Sequence, residues 1–324
     1  MVAAVRVHQT GGPEVLAYEE IPVPEPGPME LKVKQRACGI NYIDTYFRSG
    51  TVRAPGGLPF IPGNEAAGEV IAVGEGVKNF RKGDRVAYVS TLGCYTAERV
   101  MPARRLIKLP ANISYEQAAS IMVKGMTAQI LLHRTFKVGK GHTVLVHAAG
   151  TSIGQILCQW ANRLGATVIG AVGSEESARR ARATGCHQVV IYGKAFAARL
   201  KQGNGGRGCD VVYDGVGRDT FTISLDCLRP LGLFVNYGNS SGPIKAFNMN
   251  VLERKGSLFA TRPALAAYIA ADEDLIASAT DLFAMVQSGA LSIPPTQRYR
   301  LHDASKAHRE FESSAGAGSS ILIP

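Results

Sequence analysis

The sequence lacks the features of a secreted, membrane-spanning or disulfide-linked protein. No run of about 18 apolar residues occurs among its 324 residues, and Met1–His8 has the short alternating pattern of a strand and not that of a signal peptide. The six cysteines lie far apart, and none belongs to a Cys-x-x-Cys pair. Such spacing is typical of free thiols in a reducing cytosol and argues against a cysteine-based structural zinc site. We therefore expect a cytoplasmic protein that does not contact a membrane.

Basic residues are in excess, but the motifs that would direct them to nucleic acid are missing. Lys and Arg number 36 and Asp and Glu 26, which gives a net charge of +10. Neither a basic tail nor basic residues interleaved with aromatic ones accompany this charge, so we do not expect nucleic acid as a partner. Anionic small ligands explain it more simply. A basic cluster at Arg179, Arg180 and Arg182 fits either the border of a cofactor site or a solvated helix face.

Two patterns of predicted secondary structure divide the chain, whose length already favours two domains. Residues 1–122 read as short strands broken by Pro and Gly, and residues 262–324 mix strands and helices in a way that returns to complete the same domain. Residues 123–261 alternate strands with helices, the pattern of a parallel sheet with crossover helices. The predicted fold is thus α/β, with a Rossmann-type doubly wound parallel sheet inserted in a discontinuous β-rich domain.

The stretch from His142 to Leu164 is the strongest candidate for a nucleotide site. A β-branched run ends in a turn of small residues, Ala148–Gly154, which opens onto apolar residues at helical spacing. The unpaired amides at the start of such a helix favour a negative group such as a dinucleotide pyrophosphate. The glycine pattern is imperfect, because Ala149 and Thr151 stand where a strict G-x-G-x-x-G motif needs glycine. A crossover unit that binds nothing is the alternative.

Several segments resemble one enzyme family and are in register with one another. They include Gly11–Leu16, Gly39–Gly50, Asp214–Gly217 and Gly238–Gly242. Together they resemble the zinc-free, zeta-crystallin-like NADPH:quinone oxidoreductases of the medium-chain dehydrogenase/reductase superfamily. The resemblance implies that the β-rich domain is of the GroES-like type and that the protein is an enzyme transferring a hydride from NADPH to a quinone. It also implies a homodimer, formed through the edges of the nucleotide-binding sheets around Leu233–Phe259.

The resemblance further implies an enzyme without a metal. Related alcohol dehydrogenases hold a catalytic zinc with a Cys and a His at positions that read Asn41 and Asn64 here, and amides are poor zinc ligands. The four-cysteine structural zinc loop of the superfamily is also missing. Without a Lewis acid, nothing stabilises the alkoxide in alcohol oxidation, whereas reduction of an activated acceptor needs less help. We therefore expect a quinone or an α,β-unsaturated ketone as the small-molecule substrate.

Five residues are candidates for the catalytic site by the same resemblance: Asn41, Asp44, Tyr46, Arg48 and Arg262. Asn41 is expected to hydrogen-bond the nicotinamide carboxamide or a quinone oxygen, and Tyr46 to donate to the developing oxyanion or to stack on a ring. Asp44 and Arg48, four residues apart, fit an ion pair within one helix equally well. Arg262 is a candidate for steering the acceptor, with a plain surface role as the alternative.

A larger set of residues is assigned to the cofactor, mostly in turns that follow predicted strands. These residues are Asn41, Lys124, Thr127, Gly150, Thr151, Ser152, Ile153, Gly154, Gly173, Ser174, Ser177, Arg179, Tyr192, Gly215, Val216, Tyr237, Gly238, Asn239 and Ser240. Lys124 and Thr127 match a family segment near the nicotinamide end of the cofactor. A solvent-facing helix residue and a helix cap are their alternative roles.

The expected cofactor is NADPH, with NADH possible. The second strand of the nucleotide domain ends in Ala171–Ser174 without the acidic residue that usually holds the ribose 2′-OH of NAD. The Lys and Arg that the family uses for the 2′-phosphate are, however, Ser177 and Ser314 here, and Tyr192 is the one familiar phosphate contact that still matches. Ser174 together with Arg179 or Arg180 is the expected substitute, since a guanidinium suits a phosphate.

Three other functions stay open at this point. The first is an NADPH-dependent reductase of enones, alkenals or enoyl thioesters, which would share the fold and the cofactor. The second is a nucleotide-sensing or RNA-binding protein of the zeta-crystallin type, for which the net charge is the only support. The third is a structural protein that has lost catalysis, which the altered glycine turn favours. Thr151 and Ser152 in that turn either bind the pyrophosphate or crowd it.

Overall fold

The computed structural model describes residues 1–291, 295–313 and 318–324. Ser314, predicted to replace a phosphate-binding Arg, lies outside these residues. The chain forms two compact units, the first from Met1–Met126, Ile269–Ser288 and the C-terminal segment that follows, the second built on Thr127–Tyr268. The predicted domain boundaries at 122/123 and 261/262 come shortly before the points where the chain passes from one unit to the other.

Strands predominate in residues 1–108, and strands and helices alternate in residues 143–236. The strands are β1 (Val2–Val7), β2 (Leu16–Ile21), β3 (Glu30–Gly39), β4 (Glu65–Val73), β5 (Arg85–Val89), β6 (Glu98–Pro102), β7 (Ile107–Lys108), β8 (Thr143–His147), β9 (Thr167–Val172), β10 (Gln188–Ile191), β11 (Cys209–Asp214), β12 (Leu228–Asn236), β13 (Phe259–Thr261), β14 (Pro295–Arg300) and β15 (Ser319–Ile323). The helices are α1 (Tyr42–Ser49), α2 (Tyr115–Ile130), α3 (Ser152–Arg163), α4 (Glu175–Ala183), α5 (Phe196–Gly203), α6 (Phe221–Cys227), α7 (Asn250–Arg254), α8 (Leu265–Tyr268), α9 (Asp272–Gln287) and α10 (Ala304–Ser313).

The first unit is rich in antiparallel strands. Its larger sheet has the order β14-β15-β3-β4-β5-β7, with β6 also paired to β3, and β1 pairs with β2 separately. In β3, Leu31 and Val33 are buried while Lys32 and Lys34, which alternate with them, are not, as a strand with one apolar face requires. The Pro-rich stretch from Pro22 to Pro28 lies between β2 and β3, where no backbone N–H has to donate to a neighbouring strand. The β-rich domain predicted from these residues is confirmed.

The second unit is built on a parallel sheet. Its strand order is β10-β9-β8-β11-β12-β13, and every neighbouring pair is parallel. All residues of β8 are buried, as expected for a central strand covered by helices on both faces. The order runs outward in both directions from the β8 and β11 pair, so a crevice opens at the carboxyl ends of these strands. The predicted Rossmann-type fold is confirmed.

Within the described residues, no helix is both long enough and apolar enough to cross a bilayer.

Candidate active site

Asn41 lies at the start of a helix that the sequence pattern did not predict. It precedes α1 in an extended conformation, and its backbone amide donates to Asp44 Oδ2 at 2.8 Å. Asp44 thereby supplies an acceptor for an amide that has no partner within the helix. The helix ends at Gly50 with a φ of 80°, a left-handed conformation that suits glycine. Both ends of α1 are therefore defined by local chemistry, and they hold Asn41 at a buried position.

A buried ionic cluster, which we call the Glu65 cluster, holds the Asn41 side chain. It consists of Asn41, Glu65, Lys124 and the backbone amide of Val123. Glu65 Oε1 accepts from Asn41 Nδ2 at 2.7 Å and from Lys124 Nζ at 3.0 Å, and its Oε2 accepts from the Val123 amide at 2.6 Å. The Glu65 side chain is 0% exposed and that of Lys124 6%. The charge of each residue is thus neutralised by its partner, as burial requires.

The Glu65 cluster determines which way the Asn41 carboxamide faces. A carboxylate only accepts hydrogen bonds, so the NH2 side of the amide must point at Glu65. Gly39 makes room for the cluster, since a Cβ there would lie 2.4 Å from Glu65 Oε1 and 2.1 Å from the Ala119 carbonyl oxygen. Lys124 was predicted to bind the cofactor. The structure instead pairs its ammonium with Glu65, and its predicted cofactor contact stays a prediction.

A second buried chain of hydrogen bonds connects α10 to Asp44. The Arg48 guanidinium donates to Glu312 Oε1 at 2.6 Å and to His308 Nδ1 at 2.9 Å. His308 Nε2 lies 2.9 Å from the Tyr95 hydroxyl, which donates to Asp44 Oδ2 at 3.1 Å. Burial, and then the nearby Arg48 charge, lower the pKa of His308 to about 3, so the imidazole is neutral. Arg48 therefore pairs with Glu312 and not with Asp44, and its contacts favour a structural role.

The Asp44 carboxyl group is in an unusual electrostatic position. It is fully buried, and within the described residues its Oδ1 has no hydrogen-bond partner. Burial raises the pKa of Asp44 from 3.8 to about 7, against the opposing effect of the Asn41 amide and the Tyr95 hydroxyl. Asp44 is thus a carboxyl group that can carry a proton near neutral pH. Tyr46, also on α1, is half-buried, and its predicted role at the acceptor stays a prediction.

The residues that stand where related alcohol dehydrogenases bind zinc have other contacts here. Asn41 binds Glu65, and Asn64 Nδ2 donates to the carbonyl oxygens of Ser90 at 3.0 Å and Thr91. Asn64 Oδ1 is buried and, among the described residues, has no partner. No group of three or more His, Cys, Asp or Glu side chains in the described part of the chain could hold a metal ion. These donors do not fit a catalytic zinc.

In the second unit, the turn after β8 forms the start of α3. Thr151 caps the helix, because its Oγ1 accepts from the Gly154 amide at 3.3 Å and donates to the Ala148 carbonyl oxygen at 2.8 Å. A Cβ at Gly154 would lie 2.3 Å from that same carbonyl oxygen, so glycine is required there. Within the described residues, the amides of Ser152 and Ile153 donate to no acceptor. The helix start therefore offers open amides to an anion, although the threonine hydroxyl is already engaged.

The turn after β9 has open space beside it. A Cβ at Gly173 would meet nothing within 4 Å. Ser174 caps α4 by accepting from the Ser177 amide at 3.2 Å. Arg180 is the arginine that reaches this region, with hydrogen bonds to the Gly150 carbonyl oxygen at 3.1 Å and to Ser177 Oγ at 3.0 Å, whereas Arg179 is exposed. The structure thus brings Ser174, Ser177 and Arg180 together.

The loops that follow β11 and β12 contact each other. Gly215 faces the Tyr237 ring, since a Cβ there would lie 2.8 Å from it, and Gly238 faces the Gly215 carbonyl oxygen in the same way. The Ser240 amide donates to that carbonyl oxygen at 3.2 Å. Arg262 donates to Asn239 Oδ1 at 3.1 Å and to the Asn236 side chain. The predicted residues Gly215, Val216, Tyr237, Gly238, Asn239, Ser240 and Arg262 thus belong to one group of loops in the second unit.

A buried chain of polar side chains lies behind this edge of the sheet. Tyr192 OH is 2.8 Å from His147 Nδ1, and His147 Nε2 is 3.0 Å from Ser224 Oγ. Ser224 Oγ is 2.7 Å from Asp214 Oδ2, and the other oxygen of Asp214 accepts from the amides of Val216 and Gly217. We call His147, Ser224 and Asp214 the His147 relay. Burial lowers the pKa of His147, which is therefore neutral.

Sequence reasoning missed Glu65 and the His147 relay. Glu65 is a single acid directly before the apolar residues Ala66 and Ala67, and His147 is a single histidine at the end of a β-branched strand. An ionisable residue at a position that the pattern predicts to be buried was the available signal. Their partners are distant in sequence, so the pattern could not identify them.

Two family profiles match the chain. The one described as alcohol dehydrogenase GroES-like domain matches residues 27–135, and the one described as zinc-binding dehydrogenase matches residues 152–272. The first match agrees with the predicted GroES-like character of the β-rich domain.

Relatives and solved structures match over the full length. The chain is 45% identical to a quinone oxidoreductase of Pseudomonas aeruginosa and 42% identical to a 2-haloacrylate reductase of a Burkholderia species, covering 100% and 99% of those proteins and 100% of itself. A crystal structure of the Escherichia coli quinone oxidoreductase complexed with NADPH is similar with a TM-score of 0.95 and 44% identity, over 99% of this chain and 100% of that one.

Proposed function

The chain belongs to the quinone oxidoreductases of the medium-chain dehydrogenase/reductase superfamily, and on that premise we propose that it uses NADPH to reduce quinones without a catalytic metal. The full-length likeness to quinone oxidoreductases carries the proposal. The donor set at the zinc-ligand positions supports the metal-free part, because the amides of Asn41 and Asn64 are held by other protein groups.

The second unit carries the residues that would hold NADPH. The open amides of Ser152 and Ile153 suit the pyrophosphate, and Gly154 lets the helix approach the turn closely. The free space beside Gly173, with Ser174 and Arg180 near it, suits the ribose and its 2′-phosphate. When bound, NADPH supplies the hydride. The turn therefore suits a dinucleotide although two glycines of the G-x-G-x-x-G motif are replaced by Ala149 and Thr151.

The first unit carries the residues that would orient the reacting groups. Glu65 fixes the direction of the Asn41 amide, which leaves its carbonyl oxygen and one N–H for the nicotinamide carboxamide or for an oxygen of the acceptor. Lys124 neutralises Glu65, so that Asn41 is held by a cluster with no net charge. Tyr46 is the candidate donor to the oxygen on which negative charge develops. The chain thus contributes position and hydrogen bonds, and no Lewis acid.

A second candidate function is the reduction of activated carbon–carbon double bonds. The likeness to a 2-haloacrylate reductase at 42% identity favours it. Fold, cofactor and the Glu65 cluster would serve either acceptor. The two are separated by measuring NADPH oxidation with 1,4-benzoquinone, 1,4-naphthoquinone, 2-cyclohexenone and 2-chloroacrylate at equal concentration. We expect kcat/KM to be at least tenfold higher for the quinones. A preference for the enone or the haloacrylate would assign the second function instead.

We further infer a homodimer formed through the edge of the parallel sheet. In the described residues β13 pairs on one side only, with β12. Large apolar side chains are exposed on and near it, at Phe247, Met249 and Phe259. An unpaired strand next to exposed apolar side chains suits pairing with a second copy. Light scattering should give twice the chain mass of 34.5 kDa, and Ala260→Pro in β13 should give the monomer mass.

All six cysteines are free thiols, which supports our inference of a reducing compartment such as the cytoplasm.

A further inference from the structure

The guanidinium of Arg180 is held at the edge of the turn after β8. The first turn of α4 packs closely on this turn, because a Cβ at Gly150 would lie 2.7 Å from the Ser177 carbonyl oxygen. Arg180 Nε donates to the Gly150 carbonyl oxygen at 3.1 Å, and its Nη2 donates to Ser177 Oγ at 3.0 Å. Ser177 in turn contacts Ser174, the residue after Gly173. The two hydrogen bonds therefore fix the guanidinium beside the region proposed for the 2′-phosphate.

The third partner of Arg180 is an acid. Glu176 Oε1 accepts from Arg180 Nη1 at 2.7 Å, and the two side chains are 71% and 28% exposed. The helix dipole favours an acid in the first turn of α4, and a Glu four residues before an Arg lies on the same face of a helix. The sequence spacing thus places a carboxylate directly against the one guanidinium that reaches the turn.

Glu176 leaves only part of the guanidinium for a ligand. An arginine has five N–H groups, and within the described residues three of those of Arg180 have acceptors. One N–H on Nη1 and one on Nη2 remain. A phosphate monoester carries a charge of about −1.5 to −2 at pH 7. A 2′-phosphate that accepts from these two groups would therefore share the cation with a carboxylate that repels it.

The other arginines of α4 do not take the place of Arg180. Arg182 Nη1 lies 3.7 Å from Glu175 Oε2, so this pair is separate from the one between Glu176 and Arg180. Arg179 is exposed and, in the part of the chain that the structure describes, forms no ion pair and no hydrogen bond to the turn. Two neighbouring acids in one helical turn thus differ in a single respect, since only Glu176 contacts the guanidinium beside Ser177.

We propose that Glu176 is a specificity-determining residue, which occupies part of the Arg180 guanidinium and thereby lowers the preference for NADPH over NADH. The two cofactors differ only in the 2′-phosphate, so the contact weakens the binding of NADPH and leaves that of NADH unchanged. This inference rests on the proposed function for its cofactor. It adds an acid on α4, outside the residues proposed to touch the dinucleotide, that determines how large the preference is.

The first test compares two neutral replacements in the same helical turn. Glu176→Gln and Glu175→Gln each remove one exposed acid, of which only Glu176 binds Arg180. We expect the ratio of Kd for NADH to Kd for NADPH to rise about fivefold in Glu176→Gln, the upper end of what an exposed charge contributes, and to change less than twofold in Glu175→Gln. An unchanged ratio in Glu176→Gln, or equal rises in both variants, would overturn the proposal.

The second test determines whether Glu176 acts through Arg180. Arg180→Met should lower the same ratio about tenfold, the value of a hydrogen bond to a charged group, and Glu176→Gln in that background should change it less than twofold. Loss of the bond to Gly150 affects both cofactors and cancels in the ratio. A fivefold rise that persists without Arg180 would show direct repulsion by Glu176 and would overturn the proposal, as would an unchanged ratio in Arg180→Met.

Both tests measure Kd by calorimetry without a quinone. A failure of the proposed reaction would therefore appear separately, as absent turnover in an unaltered chain that still binds NADPH. An unaltered chain that binds neither cofactor would overturn the proposed function together with this inference.

Discussion

Replacing only one of Glu65 and Lys124 should lower the free energy of unfolding far more than replacing both. Glu65→Gln leaves the Lys124 ammonium buried without a counter charge, and Lys124→Met leaves the Glu65 carboxylate in the same position. Glu65 is 0% and Lys124 6% exposed, at a separation of 3.0 Å. Loss of one partner from so buried a pair costs about 3–5 kcal/mol. The double variant removes both charges, so we expect it to cost less than either single variant, which requires a coupling energy of at least about 3 kcal/mol.

The control for this experiment is an exposed ion pair that also has its acid on β4. Glu69 of β4 binds Arg36 of β3 at 3.1 Å, with side-chain exposures of 33% and 44%. Glu69→Gln should cost less than about 1 kcal/mol, since an exposed pair contributes little. Hydrogen exchange of β3 and β4 peptides measures the first unit, while fluorescence of the single tryptophan, Trp160, follows the second unit. A buried, mutually dependent ion pair is contradicted if Glu65→Gln lowers the free energy of unfolding no more than Glu69→Gln, or if the loss in the double variant equals the sum of the losses in the single ones.

Three further predictions follow from single contacts. Because Asp44 has a pKa of about 7 when folded against 3.8 ordinarily, its contribution to stability is full below about pH 4 and is lost as the pH rises through 7. Asp44→Asn mimics the protonated acid. Its free energy of unfolding in urea, relative to that of the unaltered chain, should therefore rise by up to about 4 kcal/mol between pH 4 and 8, and a difference that does not change with pH would contradict this. Thr151→Ala should lower the free energy of unfolding of the second unit by about 1 kcal/mol through loss of the helix cap, measured by Trp160 fluorescence, and an unchanged midpoint would argue against capping. Dialysis against a chelator should leave quinone reduction unchanged, and recovery of lost activity by added zinc would refute a metal-free site.

Local chemistry determined which parts of the fold could be predicted. The alternation of β-branched runs with helical spacing in residues 143–236 identified the parallel sheet, because each strand and helix there has its own apolar pattern. The helix α1 was not predicted as an element, since it is only eight residues long and its start depends on the contact between the Asn41 amide and Asp44. Propensity alone does not report such a cap.

The candidate site could be predicted only where a motif lies in one segment. The turn Gly150–Gly154 is continuous, so its open amides followed from the sequence. The direction of the Asn41 amide depends on Glu65 and Lys124, and the Tyr192 hydroxyl contacts His147. These contacts form only when separate strands and helices pack together, so no local pattern carries them.

Metal-free quinone reduction is tested by measuring quinone-dependent oxidation of NADPH by metal-stripped protein, for the unaltered chain, Asn41→Ala and Glu69→Gln. We expect turnover that needs the quinone and survives metal removal. We expect a loss of about a hundredfold in kcat/KM for Asn41→Ala, as for one oriented hydrogen-bonding group at the reacting centre, and no loss for Glu69→Gln. Absence of quinone-dependent turnover in the unaltered chain, or full activity in Asn41→Ala, would contradict this.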